Sequence, residues 1–104
     1  MAKVKAVFFL PLRDNDGRDL TVEIKGVEVE LFATFVTFTR TGIVSGAYLM
    51  TDGTRSDDDL RSYFLVLDEE RVPELREILA RFKAKTTQEA LYFELQYNTV
   101  IDFI

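Results

Sequence analysis

The chain contains no cysteine and no histidine. The first absence removes disulfides, thiol nucleophiles and thiolate metal sites. The second removes the usual neutral-pH acid–base group and the usual transition-metal ligand. Any chemistry must therefore come from carboxylates, lysine, arginine, tyrosine, serine or threonine. Positive charge is also scarce: 13 Lys and Arg stand against 18 Asp and Glu, a net charge of −5. Such a chain repels phosphate backbones at long range, which argues against general nucleic-acid binding, though a local basic patch would override the average. No apolar run reaches the length of a transmembrane helix, so no membrane association is expected. The apolar run ending at Pro11 is too short for a secretion signal and lacks a small-residue cleavage site. A cytoplasmic location is the expectation.

What is present is an ordinary globular mixture, 47% apolar and 30% charged, in 104 residues. That combination fits one domain spanning residues 1–104 and not a disordered chain. Residues 3–10 alternate as a strand, with Val4, Ala6, Phe8 and Leu10 on one side and Val7 and Phe9 on the other. Residues 13–19 supply Asn, Asp and Gly for a polar reversal. Residues 20–38 carry two patterns at once. Leu20, Ile24, Val27, Leu31, Phe35 and Phe38 recur at spacings of three and four, which predicts a helix. Val27, Val29, Leu31, Ala33 and Phe35 also alternate, and the segment is rich in Val and Thr, as strands are. The helix is preferred because its stripe persists for five turns.

Residues 43–51 and 60–67 read as two strands joined through the hairpin signal Asp52–Gly53, with Arg55–Asp59 either paired at once or looped. Residues 73–85 form the clearest helix. Val72, Leu75, Ile78, Leu79 and Phe82 make its stripe, Pro73 suits its first turn, and Glu77 with Arg81 adds an i,i+4 pair. Residues 89–97 complete the set as a strand, and Val100–Ile104 is expected to add a short terminal one. The order β-α-β-β-α-β predicts an α+β fold of the split βαβ, ferredoxin-like kind: a four-stranded antiparallel sheet with two helices on one face. If residues 20–38 were strands, a larger antiparallel sheet with a single helix would result.

Helices on one face leave the other bare, yet the strands are apolar on both sides. A bare aromatic sheet is more than a monomer usually exposes. The expected remedy is a two-fold homodimer, with Val7, Phe9, Tyr63 and Leu65 at its interface. The alternative cover is the C-terminal segment with Ile101, Phe103 and Ile104.

Two acidic groups are the candidates for chemistry. Asp57, Asp58 and Asp59 are oxygen ligands of the type Mg²⁺ or Ca²⁺ prefer, but consecutive strand residues point alternately and no calcium-loop spacing occurs. A solvated acidic loop is the preferred reading. Asp14 and Asp16 follow the first strand, a position that resembles where small CRISPR-associated nucleases of this topology place a metal-binding carboxylate. The resemblance is limited to size, topology and that position, and Asp-Asn-Asp-Gly is also ordinary turn chemistry. Phe8, Phe9, Tyr63 and Phe64 are similar to the stacking aromatics of RNA-recognition domains, but the accompanying Lys/Arg-Gly-Phe run is missing. Packing is the better account of them. Gly42–Gly46 opens no helix, so it reads as a bend or bulge and not as a phosphate cradle.

Across residues 35–94, Phe35-x-x-Phe38-Thr39-Arg40, Gly46-x-Tyr48, Asp52-Gly53 and Thr87-Gln88-Glu89-Ala90-Leu91-Tyr92-x-Glu94 resemble a pattern in small uncharacterised bacterial and phage proteins. That resemblance implies a ferredoxin-like fold and no known activity. The expected function is a non-enzymatic, homodimeric interaction or regulatory module without a cofactor, leaving a further protein partner open. The alternatives are a metal-dependent nuclease or phosphodiesterase using the acids above, and a small-ligand binder with a pocket between sheet and helices.

Overall fold

The structure, a computed structural model, describes residues 2–104. The elements follow the order β1 (Lys3–Pro11), α1 (Thr21–Phe35), β2 (Thr39–Leu49), β3 (Arg55–Asp68), a single 3₁₀ turn (Glu69–Arg71), α2 (Val72–Ala84) and β4 (Phe93–Gln96). The four strands form one sheet in the order β2-β3-β1-β4, and all three neighbouring pairs are antiparallel. Each helix thus joins two strands separated in the sheet by a strand from the other half of the chain. The fold is α+β: two helices on a four-stranded antiparallel sheet.

One sheet face is dry. Val4, Ala6, Phe8 and Leu10 of β1, with Tyr63, Leu65 and Leu67 of β3, are at most 3% exposed. They meet Ile24, Val27, Leu31 and Phe35 of α1 and Val72, Leu75, Ile78, Leu79 and Phe82 of α2. The three-and-four spacing across residues 20–35 is therefore the inner stripe of a helix, and the strand alternative does not form. Gly26 is accommodated within that helix. At the α1 C-terminus Val36 takes a left-handed conformation, φ 63°, and its N–H closes the last turn on the Phe32 carbonyl.

β2 and β3 pair at once beyond their turn, Tyr48 opposite Ser56 and Ala47 opposite Asp57, so the acidic run lies in a strand. The Met50–Thr54 turn is held by the Met50 N–H to the Thr54 carbonyl (2.8 Å), with Gly53 at φ 88°. β1 pairs with β3 only as far as Leu60, so the hairpin beyond it projects as a two-stranded arm. A bulge between Arg40 and Gly42, where Gly42 sits at φ 120°, is the irregularity read from the glycines.

Three expectations need correction. The last strand covers only Phe93–Gln96, paired with β1 from Phe8 opposite Phe93 to Lys5 opposite Gln96, and residues 89–92 and 97 lie outside it. Val100–Ile104 forms no strand, and of the residues expected to cover the sheet only Ile101 is half-buried, while Phe103 is 81% exposed. Arg81 reaches across to Glu30 of α1 at 2.6 Å, so it ties the helices together instead of pairing with Glu77.

Candidate functional site

Asp14 is the most constrained polar residue of the chain. It lies in the reversal after β1, with a side chain only 1% exposed. Its carboxylate accepts from the Thr87 N–H (2.9 and 3.0 Å), the Thr87 hydroxyl, the Asn15 N–H (2.9 Å) and the Arg18 guanidinium (3.2 Å). Arg18 also donates to the Lys85 carbonyl, and the Asn15 amide donates to the Thr87 carbonyl. Burial opposes ionisation of Asp14, but the hydrogen bonds from Thr87, Asn15 and Arg18 outweigh it and bring its pKa down to about 2. These bonds occupy the lone pairs a metal or a substrate proton would need. The residue clamps the β1–α1 loop to the segment following α2.

Asp16, the other candidate of that loop, is exposed and caps the Arg18 N–H at 2.9 Å. Asp57, Asp58 and Asp59 are handled separately. Asp57 pairs with Arg55, Asp58 accepts from the Ser56 hydroxyl, and Asp59 accepts from the Ser45 hydroxyl. In a strand Asp58 faces away from the other two. A cleft of about 370 Å³ between the β1–α1 loop and the arm is lined by Asp14 and by Arg55–Asp59. Among the described residues no group of three acids is placed to hold a metal ion. Between the sheet and the helices the core side chains pack against one another.

The four residues expected at a dimer interface do not share a face. Val7 pairs with Phe64 and Phe8 with Tyr63, which places Tyr63 and Leu65 under the helices at 0% and 1% exposure. Tyr63 stacks on Phe8 at 5.3 Å and donates its hydroxyl to Glu28 of α1 at 2.6 Å. Burial, then the carboxylate of Glu28, pushes the Tyr63 phenol well above its ordinary pKa. The outward residues beside Val7 and Phe9 are Phe64 and Val66, all half-buried. Lys5 lies over the Phe64 ring and Tyr92 stacks on Phe9 at 4.5 Å, which partly screens this face.

The larger bare surface lies elsewhere. α1 carries a second apolar stripe, Val22, Val29 and Phe32, continued by the cap residue Val36, and these are 58–79% exposed. Phe38, which leads into β2, joins Val29 and Phe32 in an open apolar groove. β2, at the sheet margin, is exposed along all 11 residues, with Ile43 at 52% and Leu49 at 74%. Arg40 ties the two elements together through its ion pair with Glu28. Reading residues 20–38 for a single buried stripe missed this surface; of the alternating residues, Val27 and Leu31 belong to the core and only Val29 and Ala33 face outward. No family model and no curated protein matches the sequence.

Proposed function

We propose that the chain is a non-enzymatic interaction or regulatory module that works as a homodimer in the cytoplasm. The observation that carries this reading is the second stripe of α1, the large apolar side chains of Val22, Val29 and Phe32 exposed at helical spacing, with exposed Val36 just past the helix end. A helix that is apolar on two sides has one face too many for a two-layer domain, and a contiguous patch of this kind marks a binding surface. The saturated carboxylate of Asp14 weighs in the same direction, because the acid best placed for catalysis is engaged in holding two loops together. The element order and the alternation of the two halves in the sheet support the ferredoxin-like description. Light scattering on the intact chain through the micromolar range tests the reading: twice the 12.0 kDa chain mass is expected, and a single-chain mass throughout contradicts it.

The cleft that Asp14 shares with Asp57–Asp59 favours a second reading, a metal-dependent phosphodiesterase. Mg²⁺- or Mn²⁺-dependent cleavage of nucleic acid, lost in Asp16→Ala and Asp58→Asn with the fold intact, would replace the first reading with this one.

A further inference from the structure

The homodimer reading leaves open which surface pairs, and the strand at the sheet margin decides it. β2 is an edge strand of 11 residues, exposed throughout, and Arg40 is its single charged residue. Edge strands that must stay unpaired are usually short or carry lysine, proline or inward charges. β2 is long and carries no lysine or proline; its one charge and its one bulge both lie near its start, at Arg40/Gly42, and its pairing with β3 then runs regularly from Gly42 to Leu49. The opposite margin, β4, has 4 residues and offers far less.

We infer that two copies join through antiparallel pairing of β2 with β2, making one continuous eight-stranded sheet with the two α1 helices side by side across the join. Two observations commit this surface to a second copy. The first is charge. The chain carries −5, so two copies repel on average, yet β2 is nearly uncharged and the guanidinium of Arg40 is already held by Glu28. A nucleic acid would find little on it to recognise, the more so because Asp57–Asp59 of β3 lie beside it. The second is extent and position. Neighbouring strands lie about 4.8 Å apart, and the Arg40–Glu28 ion pair ties α1 to this margin, so pairing at β2 brings the two α1 helices toward each other across the join. Val29 and Phe32 would then be covered by the same step that satisfies the strand edge. Strand and helix together approach the roughly 20 residues per partner that a stable interface uses. The outer sheet face around Val7 and Phe9 competes poorly, since its side chains are half-buried already.

This inference rests on the homodimer reading, and the absence of cysteine permits a test that separates the two. Single substitutions to cysteine are introduced one at a time from Thr41 to Ala47, with Val7→Cys and Val66→Cys as controls on the outer face, and each full-length protein is oxidised. In a two-fold antiparallel ladder one residue faces its own copy, at a Cα separation of about 4.5–5.5 Å that a disulfide spans. One β2 position is expected to give disulfide-linked dimer about tenfold faster than either control. Sedimentation of the unsubstituted chain runs alongside. Dimeric mass with cross-linking confined to Val7→Cys or Val66→Cys would overturn the β2 pairing and leave the homodimer standing. Dimeric mass with no position preferred would do the same. A monomer at several hundred micromolar would overturn both.

Discussion

Asp14 and Thr87, 73 residues apart in sequence, are joined by three hydrogen bonds, two from the Thr87 N–H and one from its hydroxyl. The contact closes the bottom of the domain, where the loop into α1 meets the chain leaving α2. Replacing Asp14 by alanine would leave the Thr87 N–H without its acceptor and Arg18 with only Glu23 and the Lys85 carbonyl. Hydrogen bonds to a charged acceptor contribute about 1.5–3 kcal/mol, so Asp14→Ala is expected to lower stability by about 2 kcal/mol in urea unfolding. Asp16→Ala, which removes only an exposed turn contact, should stay within about 0.5 kcal/mol of the parent.

The same carboxylate sets a pH dependence. Its pKa is about 2 when folded against 3.8 ordinarily, so the folded state favours the ionised form. That stabilisation is complete above pH 3.8 and is lost as the pH falls through about 2; over the whole interval it amounts to about 2 kcal/mol. Other carboxylates contribute to acid unfolding as well, among them Glu28 and Asp68, whose pKa values are lowered by their ion pairs. The informative quantity is the difference: the gap in stability between the parent and Asp14→Asn should narrow steadily as the pH falls from about 5 toward 2.

Val36 holds a left-handed conformation that suits glycine, and its side chain is 73% exposed. A β-branched residue there is strained by about 1 kcal/mol or more. Val36→Gly is expected to raise the urea midpoint by an equivalent of about 1 kcal/mol in the monomer. An unchanged or lower midpoint would show that the residue is not strained.

Tyr63 presents its hydroxyl to Glu28 beneath α1, and Glu28 in turn holds Arg40. Tyr63→Phe should cost about 1–3 kcal/mol, because a charged acceptor loses a short donor while the ring stays packed. In the folded parent, one of the four tyrosines should also resist ionisation at alkaline pH, read as phenolate absorbance that completes only on unfolding.

The sequence carried the element order because local signals agreed with it. The α2 stripe, Pro73 in its first turn, and Asp52–Gly53 in the hairpin each point to one structure. Strand parity was harder. β3 is apolar on both sides, so periodicity alone could not say whether Tyr63 or Phe64 faces the helices; a one-residue choice flips every side chain. The cross-strand register, Phe8 with Tyr63, resolves it. The helix-or-strand ambiguity of residues 20–38 had a physical origin, since one stripe is buried and the other bare on the same helix. The Asp14 network left no local trace: Thr87 and Gln88 stood inside a resembling motif, but only the fold brings them to the first loop.

Small-angle X-ray scattering of the intact chain on an absolute scale tests the central claim most directly. Two copies joined edge to edge should scatter with twice the 12.0 kDa mass and a radius of gyration clearly above the 14.3 Å of one protomer. A 12.0 kDa particle with a radius near 14.3 Å at every concentration would mean that the bare α1 and β2 surface is not a self-association surface.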